Sequence, residues 1–277
     1  MTLLAFASTH AAPGVTSTVL GLAAVWRATT GRDVLVVEAD PDGGVLAARF
    51  EELRADRTLA DVAVDVRRAF DIDAVLGSAR HVWGGVPVVV APPSAEQTHS
   101  ALSAGGDGLA AGLAASDSVD VLVDTGRLTV RSPALHLARR AASTILVTRP
   151  TFEAAAAVAA RVPELAAHGC DLGVVLVGDR PYAPGDFETA TGAPVVGLLP
   201  HDSRAAAVFA GGPGSERQVR RALLWRSLAD LASRLVAQLD PPTERPGQAP
   251  GPGPSPEVGQ APGPGPSAEV GHAGVAS

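Results

Sequence analysis

The sequence of 277 residues contains no lysine, and all 22 of its basic side chains are arginine. Any side-chain cation that meets an anion here is therefore a guanidinium or a protonated imidazole. Cysteine occurs once, as Cys170, which excludes an internal disulfide. No apolar run approaches the ~20 residues needed to span a bilayer. Met1 to Ser8 lacks the basic start of a secretory leader, so the expected location is the cytoplasm. A net charge of −7 argues against strong non-specific DNA binding, which requires basic surface facing phosphate. Isoleucine appears only at Ile72 and Ile145, and alanine is abundant, a bias that fits a GC-rich gene. That bias favours arginine over lysine. With 46% hydrophobic residues the chain has enough apolar surface for a full core.

Near the start, Leu3 to Ala7 reads as a short apolar strand, and Thr16 to Ala28 has helical spacing, with Val19, Leu22, Ala23 and Trp26 along one side. Between them runs Ser8-Thr9-His10-Ala11-Ala12-Pro13-Gly14-Val15-Thr16-Ser17. Strand, glycine turn and helix make a phosphate-binding geometry. Gly14 lets the backbone approach an anion, and successive amide N–H groups and the helix N-terminus add partial positive charge. Thr16 offers a hydroxyl to a magnesium ion.

This loop resembles that of the MinD/ParA family of deviant Walker ATPases, which runs Lys-Gly-Gly-x-Gly-Lys-Thr-Thr. Aligned on Gly14-Val15-Thr16-Ser17, Val15 stands at the P-loop lysine, and the signature lysine that reaches the partner subunit's nucleotide falls on His10. Ala11 and Ala12 replace two glycines, which narrows the backbone's freedom. Four further segments are similar to the family's. Val34 to Gly44 resembles the second strand and its Asp-x-Asp-Pro loop, with Glu38 at the first acid, and the resemblance gives Asp40 the role of orienting the attacking water. Asp120 to Gly126 resembles the Walker B strand and places Asp124 toward magnesium through water. Thr144 to Pro150 and Val195 to Asp202 resemble the late strands that carry the base-binding loops. The match covers roughly residues 1–240. Where the family often reads adenine with an asparagine, this asparagine-free chain offers Asp179 and Arg180. ATP with magnesium is the default ligand. The lone cysteine cannot supply the paired thiolates of the iron–sulfur relatives.

Loss of one charge-assisted phosphate contact costs about 1.5–3 kcal/mol, roughly one to two decades of affinity, which millimolar nucleotide overcomes. A cation against the transferring phosphoryl is worth on the order of 10³–10⁵ in rate. The expectation is weak binding with very slow or absent hydrolysis, Arg127 and His10 being the nearby replacement cations.

Glu216 to Leu239 reads as a last helix whose apolar side carries Val219, Leu223, Leu224, Leu228, Leu231, Leu235 and Leu239. Its arginines Arg217, Arg220, Arg221, Arg226 and Arg234 form either a solvated face or, as the resemblance allows, a DNA or membrane contact. Beyond it the composition turns to proline and glycine, and a unit beginning at Gly247 repeats at Gly259. Residues 241–277 are expected to be a disordered spacer or a partner-docking tail behind a domain of residues 1–240.

The remaining pattern alternates strands and helices. Thr58 to Phe70, Asp71 to Ser78 and Ser100 to Ala115 read as helices, Val86 to Ala91 as a strand, and Asp202 as a helix N-cap. Six or seven short β-runs imply an α/β, three-layer P-loop NTPase-like fold, its mostly parallel sheet covered on both faces and its ligand crevice at the strands' carboxyl ends. His10, Asp40, Asp124 and Arg127 fall at such ends. Two function classes follow. One is a nucleotide-dependent spatial regulator that dimerises around its nucleotide and positions a partner. The other is a pseudo-ATPase scaffold for a division, pilus or secretion assembly. A metabolic ligase on the same fold would require a substrate domain for which the chain has little room.

Overall fold

The computed structural model describes residues 1–10, 14–53 and 56–239, with Trp83 described by its backbone alone. Ala11, Ala12 and Pro13 of the glycine loop and the repeat-bearing tail at 241–277 lie outside the described residues. The elements run β1 (Leu3–Ser8), α1 (Val15–Thr30), β2 (Val34–Glu38), α2 (Leu46–Arg49), α3 (Leu59–Val66) and α4 (Ile72–Ser78). There follow β3 (Arg80–Val82), β4 (Val86–Val89), α5 (Ala95–Ala115), β5 (Asp120–Arg127), α6 (Leu135–Arg140) and β6 (Ser143–Thr148). The chain continues through α7 (Phe152–Ala167), β7 (Leu172–Val177), α8 (Pro184–Thr191), β8 (Val195–Leu199), α9 (Ser203–Phe209), α10 (Glu216–Val219) and α11 (Leu223–Leu239).

The strands form one eight-stranded sheet of order β3-β4-β2-β5-β1-β6-β7-β8. All ladders are parallel except β3 with β4. Alternation along β1 sends Leu3, Ala5 and Ala7 to one face and Leu4 and Phe6 to the other. The first face packs against α3 to α8, where Leu102, Leu109, Val158 and Phe187 are buried. The second packs against α1, α2 and α9 to α11 through Trp26, Leu46, Phe209 and Leu228. The result is the expected three-layer α/β fold, with both faces of a near-continuous apolar sheet removed from water.

Three local expectations are corrected. The last helix is broken between Val219 and Leu223. Val219 and Leu224 are both buried, and five residues apart they cannot share one stripe of a continuous helix, so Leu223 turns outward at 57% exposure. Arg220 closes the break by bonding back to Glu216 and lying 4.8 Å over the Trp225 ring. The sheet also has an eighth strand, β3, a three-residue antiparallel hairpin partner of β4 whose turn depends on Gly84 and Gly85 at φ 76° and 74°. Finally, α5 begins at Ala95 behind an N-cap at Ser94, a turn earlier than its small-residue stretch suggests.

Candidate functional site

Strands β2, β5 and β1 are neighbours, and their carboxyl ends open onto a crevice of about 370 Å³. Gly14 forms one wall. It caps α1 in the left-handed region at φ +105°, a conformation that favours glycine, and its carbonyl accepts from the Thr18 N–H. The first turn of α1 then places Val15, Thr16 and Ser17 against the crevice. Val15, at the lysine position, is 7% exposed and packs into the apolar layer under α1.

Asp124 is 3% exposed and faces the same crevice. Burial pushes its carboxyl up to about 6, opposed by a hydrogen bond from Thr16, by the Gly126 N–H and by the charge of Arg49. Asp40 stands beside it. Burial raises its pKa, the Asp42 N–H at 2.9 Å and the Arg127 charge oppose that rise, and the Asp42 charge adds to it. Backbone bonds fix these ends together: the Ala39 N–H donates to the Asp124 carbonyl at 2.8 Å and the Leu128 N–H to the Ser8 carbonyl at 2.9 Å. The Thr125 hydroxyl donates to the Phe6 carbonyl at 2.8 Å.

Glu38 serves the site from behind. At 1% exposure, one carboxyl oxygen accepts from the Val45 and Leu46 N–H groups at 2.8 and 3.0 Å, and the other accepts from the Ala91 N–H at 3.0 Å. The side chain thereby ties the 40–46 loop to the chain leaving β4. Desolvation raises this carboxyl to about 7 despite those three donors.

The other sequence candidates divide. Arg127 lines the crevice, whereas His10 is exposed and is not among its lining residues. Asp179 and Arg180 are also exposed, beyond β7. A second crevice of about 240 Å³ shares Gly14 and Ser17 with the first and is lined instead by Arg149, Val177, Leu199, Pro200, His201 and Asp202. Its walls thus come from the loops after β6 and β8, and Asp202 caps α9 by accepting from the Ala205 N–H at 2.9 Å, as expected. Sequence reading missed Arg49, which reaches the first crevice from the short helix α2.

The donor set suits a magnesium-bound phosphate group: a helix N-terminus, the Thr16 and Ser17 hydroxyls, two guanidiniums and three carboxylates line one space. Thr9, just beyond β1, has a buried hydroxyl oxygen with no partner among the described residues but does not line this crevice. Among those residues no group of three or more His, Cys, Asp or Glu side chains is arranged for a metal. A cation at Thr16 and Asp124 would therefore complete its shell with water and phosphate, as magnesium commonly does. No helix among the described residues is long and apolar enough to cross a membrane.

No protein-family model matches the chain, and no curated protein does. Solved structures do. A ParA family ATPase from Chlorobium tepidum aligns at a TM-score of 0.71 and 16% identity, over 84% of this chain and 98% of that one. The septum site-determining protein MinD of Pyrococcus horikoshii, complexed with Mg-ADP, aligns at 0.65 and 18%, over 84% and 94%. An alanine variant of Cyanothece McdA in complex with ATP aligns at 0.62 and 13%, over 85% and 96%. With its strand order, covered faces and glycine turn, the chain has the MinD/ParA-type P-loop ATPase fold.

Proposed function

We propose that this chain is a MinD/ParA-like nucleotide-binding protein of the positioning and partitioning kind, which holds magnesium-bound nucleotide weakly and hydrolyses it very slowly or not at all. The observation that carries this reading is the convergence of Thr16, Asp40 and Asp124 at one crevice in a chain without lysine. A scaffold with no nucleotide cycle has no need to hold two acids and a hydroxyl together at the cost of burying Asp124. Thr16 and Asp124 would hold magnesium, Gly14 to Ser17 the phosphates, and Asp40 the attacking water. ATP is the default nucleotide. The MinD structure carries Mg-ADP and the McdA structure ATP, and the shared fold supports the same ligand class here. In this reading residues 1–240 form a cytoplasmic switch that pairs with a second copy, and residues 241–277 form its tail. The basic face near the end of the fold is solvent-exposed, and in this reading a DNA or membrane contact through it is not favoured.

The lost lysines favour a second reading, a pseudo-ATPase that presents its surface to a partner without nucleotide. Isothermal titration separates the two, using ATP, ADP, GTP and a non-hydrolysable analogue to millimolar concentration, with and without magnesium. Magnesium-dependent binding that disappears in Asp124→Ala is the expected result. No binding at millimolar ligand establishes the scaffold, and turnover at the rate of lysine-bearing relatives overturns the slow-hydrolysis claim.

A further inference from the structure

The phosphate crevice has a charge problem that a missing lysine makes acute. Three carboxylates, Asp40, Asp42 and Asp124, line it, and without a lysine an entering polyphosphate would meet acid on one side and the apolar wall of Val15 on the other. Two guanidiniums, Arg127 and Arg49, stand among these acids. We infer that Arg49 is the surrogate for the P-loop lysine, a phosphate-contacting cation delivered in cis from α2 rather than from the glycine loop. This assignment rests on the nucleotide-binding reading above and names the residue that makes it workable.

The position of Arg49 is built rather than incidental. The Glu38 carboxylate accepts the Val45 and Leu46 N–H groups, fixing the start of α2, and Leu46 and Phe50 are buried on either side of the arginine at 0% and 6% exposure. From the other direction the turn after α9 presses on it. Gly211, at φ +82°, lies so near that a Cβ there would stand 3.0 Å from the Arg49 Cβ and 2.9 Å from its carbonyl oxygen. The backbone of Arg49 is thus clamped at both ends. Its exposed side chain forms no hydrogen bond or ion pair among the described residues, while its charge reaches Asp124. A guanidinium adds what an ammonium cannot, a planar fork that matches two phosphate oxygens at once.

Glu38 takes on a second meaning here. It is one methylene longer than the family's aspartate at this position, and its two oxygens reach the α2 amides and the Ala91 amide together.

The test is isothermal titration of the full chain and of Arg49→Ala, Arg49→Lys and Arg127→Ala with magnesium and ATP, ADP, pyrophosphate or adenosine. Melting temperatures monitor the fold. Arg49→Ala is expected to weaken ATP and pyrophosphate roughly ten- to a hundredfold, to leave adenosine unchanged and to melt with the parent. Arg49→Lys is expected to recover part of the loss. ATP affinity equal to the parent's in Arg49→Ala overturns the assignment while leaving the nucleotide reading intact. An equal loss for ATP and adenosine also overturns it, since a phosphate contact is blind to the base. Failure of the unsubstituted chain to bind any of the four ligands overturns both readings.

Discussion

The carboxyl group of Asp40 lies directly over Gly126, so closely that a Cβ on that glycine would stand 2.1 Å from the Asp40 Cγ. Gly126 also has φ +61°, so two separate constraints exclude a side chain at this position near the end of β5. Gly126→Ala is expected to cost about 2–3 kcal/mol, part backbone strain and part displacement of Asp40. Urea denaturation of a double-mutant cycle with Asp40→Gly separates the two parts. The contact predicts a coupling of about 1 kcal/mol or more, and strictly additive costs would show that Asp40 is not what the alanine strikes.

The buried acids set how stability responds to pH. Glu38 is raised from an ordinary value of 4.5 to about 7 and Asp124 from 3.8 to about 6, both chiefly by desolvation. A carboxyl that binds its proton more tightly folded than unfolded stabilises fully below its unfolded value and loses that contribution as pH rises through the folded one. Without nucleotide or magnesium, the melting temperature should therefore fall between about pH 4 and 7, by an amount on the order of a few kcal/mol in stability. Glu38→Gln should flatten much of that slope. At low pH, where Glu38 is protonated, it should also lower stability, because one of the three N–H donors would face an amide nitrogen. Melting curves across this range that rise with pH would contradict the assignment.

Much of this arrangement was legible in the sequence, and the limits of legibility have physical causes. The β2 run Val34–Glu38 and the Asp202 cap could be read directly, because an apolar run and a capping side chain are local signals. So could the gathering of Asp40, Asp124 and Arg127, because strand-end position fixes where side chains converge in a parallel sheet, whereas His10, expected with them, is exposed and does not line the crevice. Arg49 could not. Its helix is four residues long, no periodicity marks it, and its approach to the crevice depends on Glu38 and Gly211, which come from two distant parts of the chain. The break before Leu223 escaped because leucines at 223 and 224 fit a helical stripe equally well until tertiary packing chooses one. Asp179 and Arg180 were placed by analogy to a loop, and their exposure beyond β7 is a property of the path that loop takes.

At the opposite end of the sheet, Asp120 holds the base of the fold together. The carboxylate is fully buried and accepts from the Thr2 N–H at 2.7 Å and the Trp26 indole N–H at 2.9 Å, while Arg32 pairs with it at 2.9 Å. Asp120→Ala leaves the buried Trp26 indole N–H and the part-buried Thr2 N–H without their acceptor and removes one partner of Arg32, and a loss of about 3–5 kcal/mol in denaturant unfolding is expected. Nucleotide affinity should be untouched in the folded fraction, since Asp120 begins β5 and does not line the crevice that Asp124 faces four residues further on. A loss below about 1 kcal/mol would mean that water replaces the carboxylate without penalty.

Cys170 sits in the corner between α7 and β7, 7% exposed, with burial pushing its thiol up and away from the reactive thiolate. As the single sulfhydryl of the sequence it turns the native chain into its own reporter. A thiol reagent that modifies it must wait for that corner to open. The modification rate, followed by mass under native conditions, therefore reads the opening equilibrium of this half of the sheet without any introduced label.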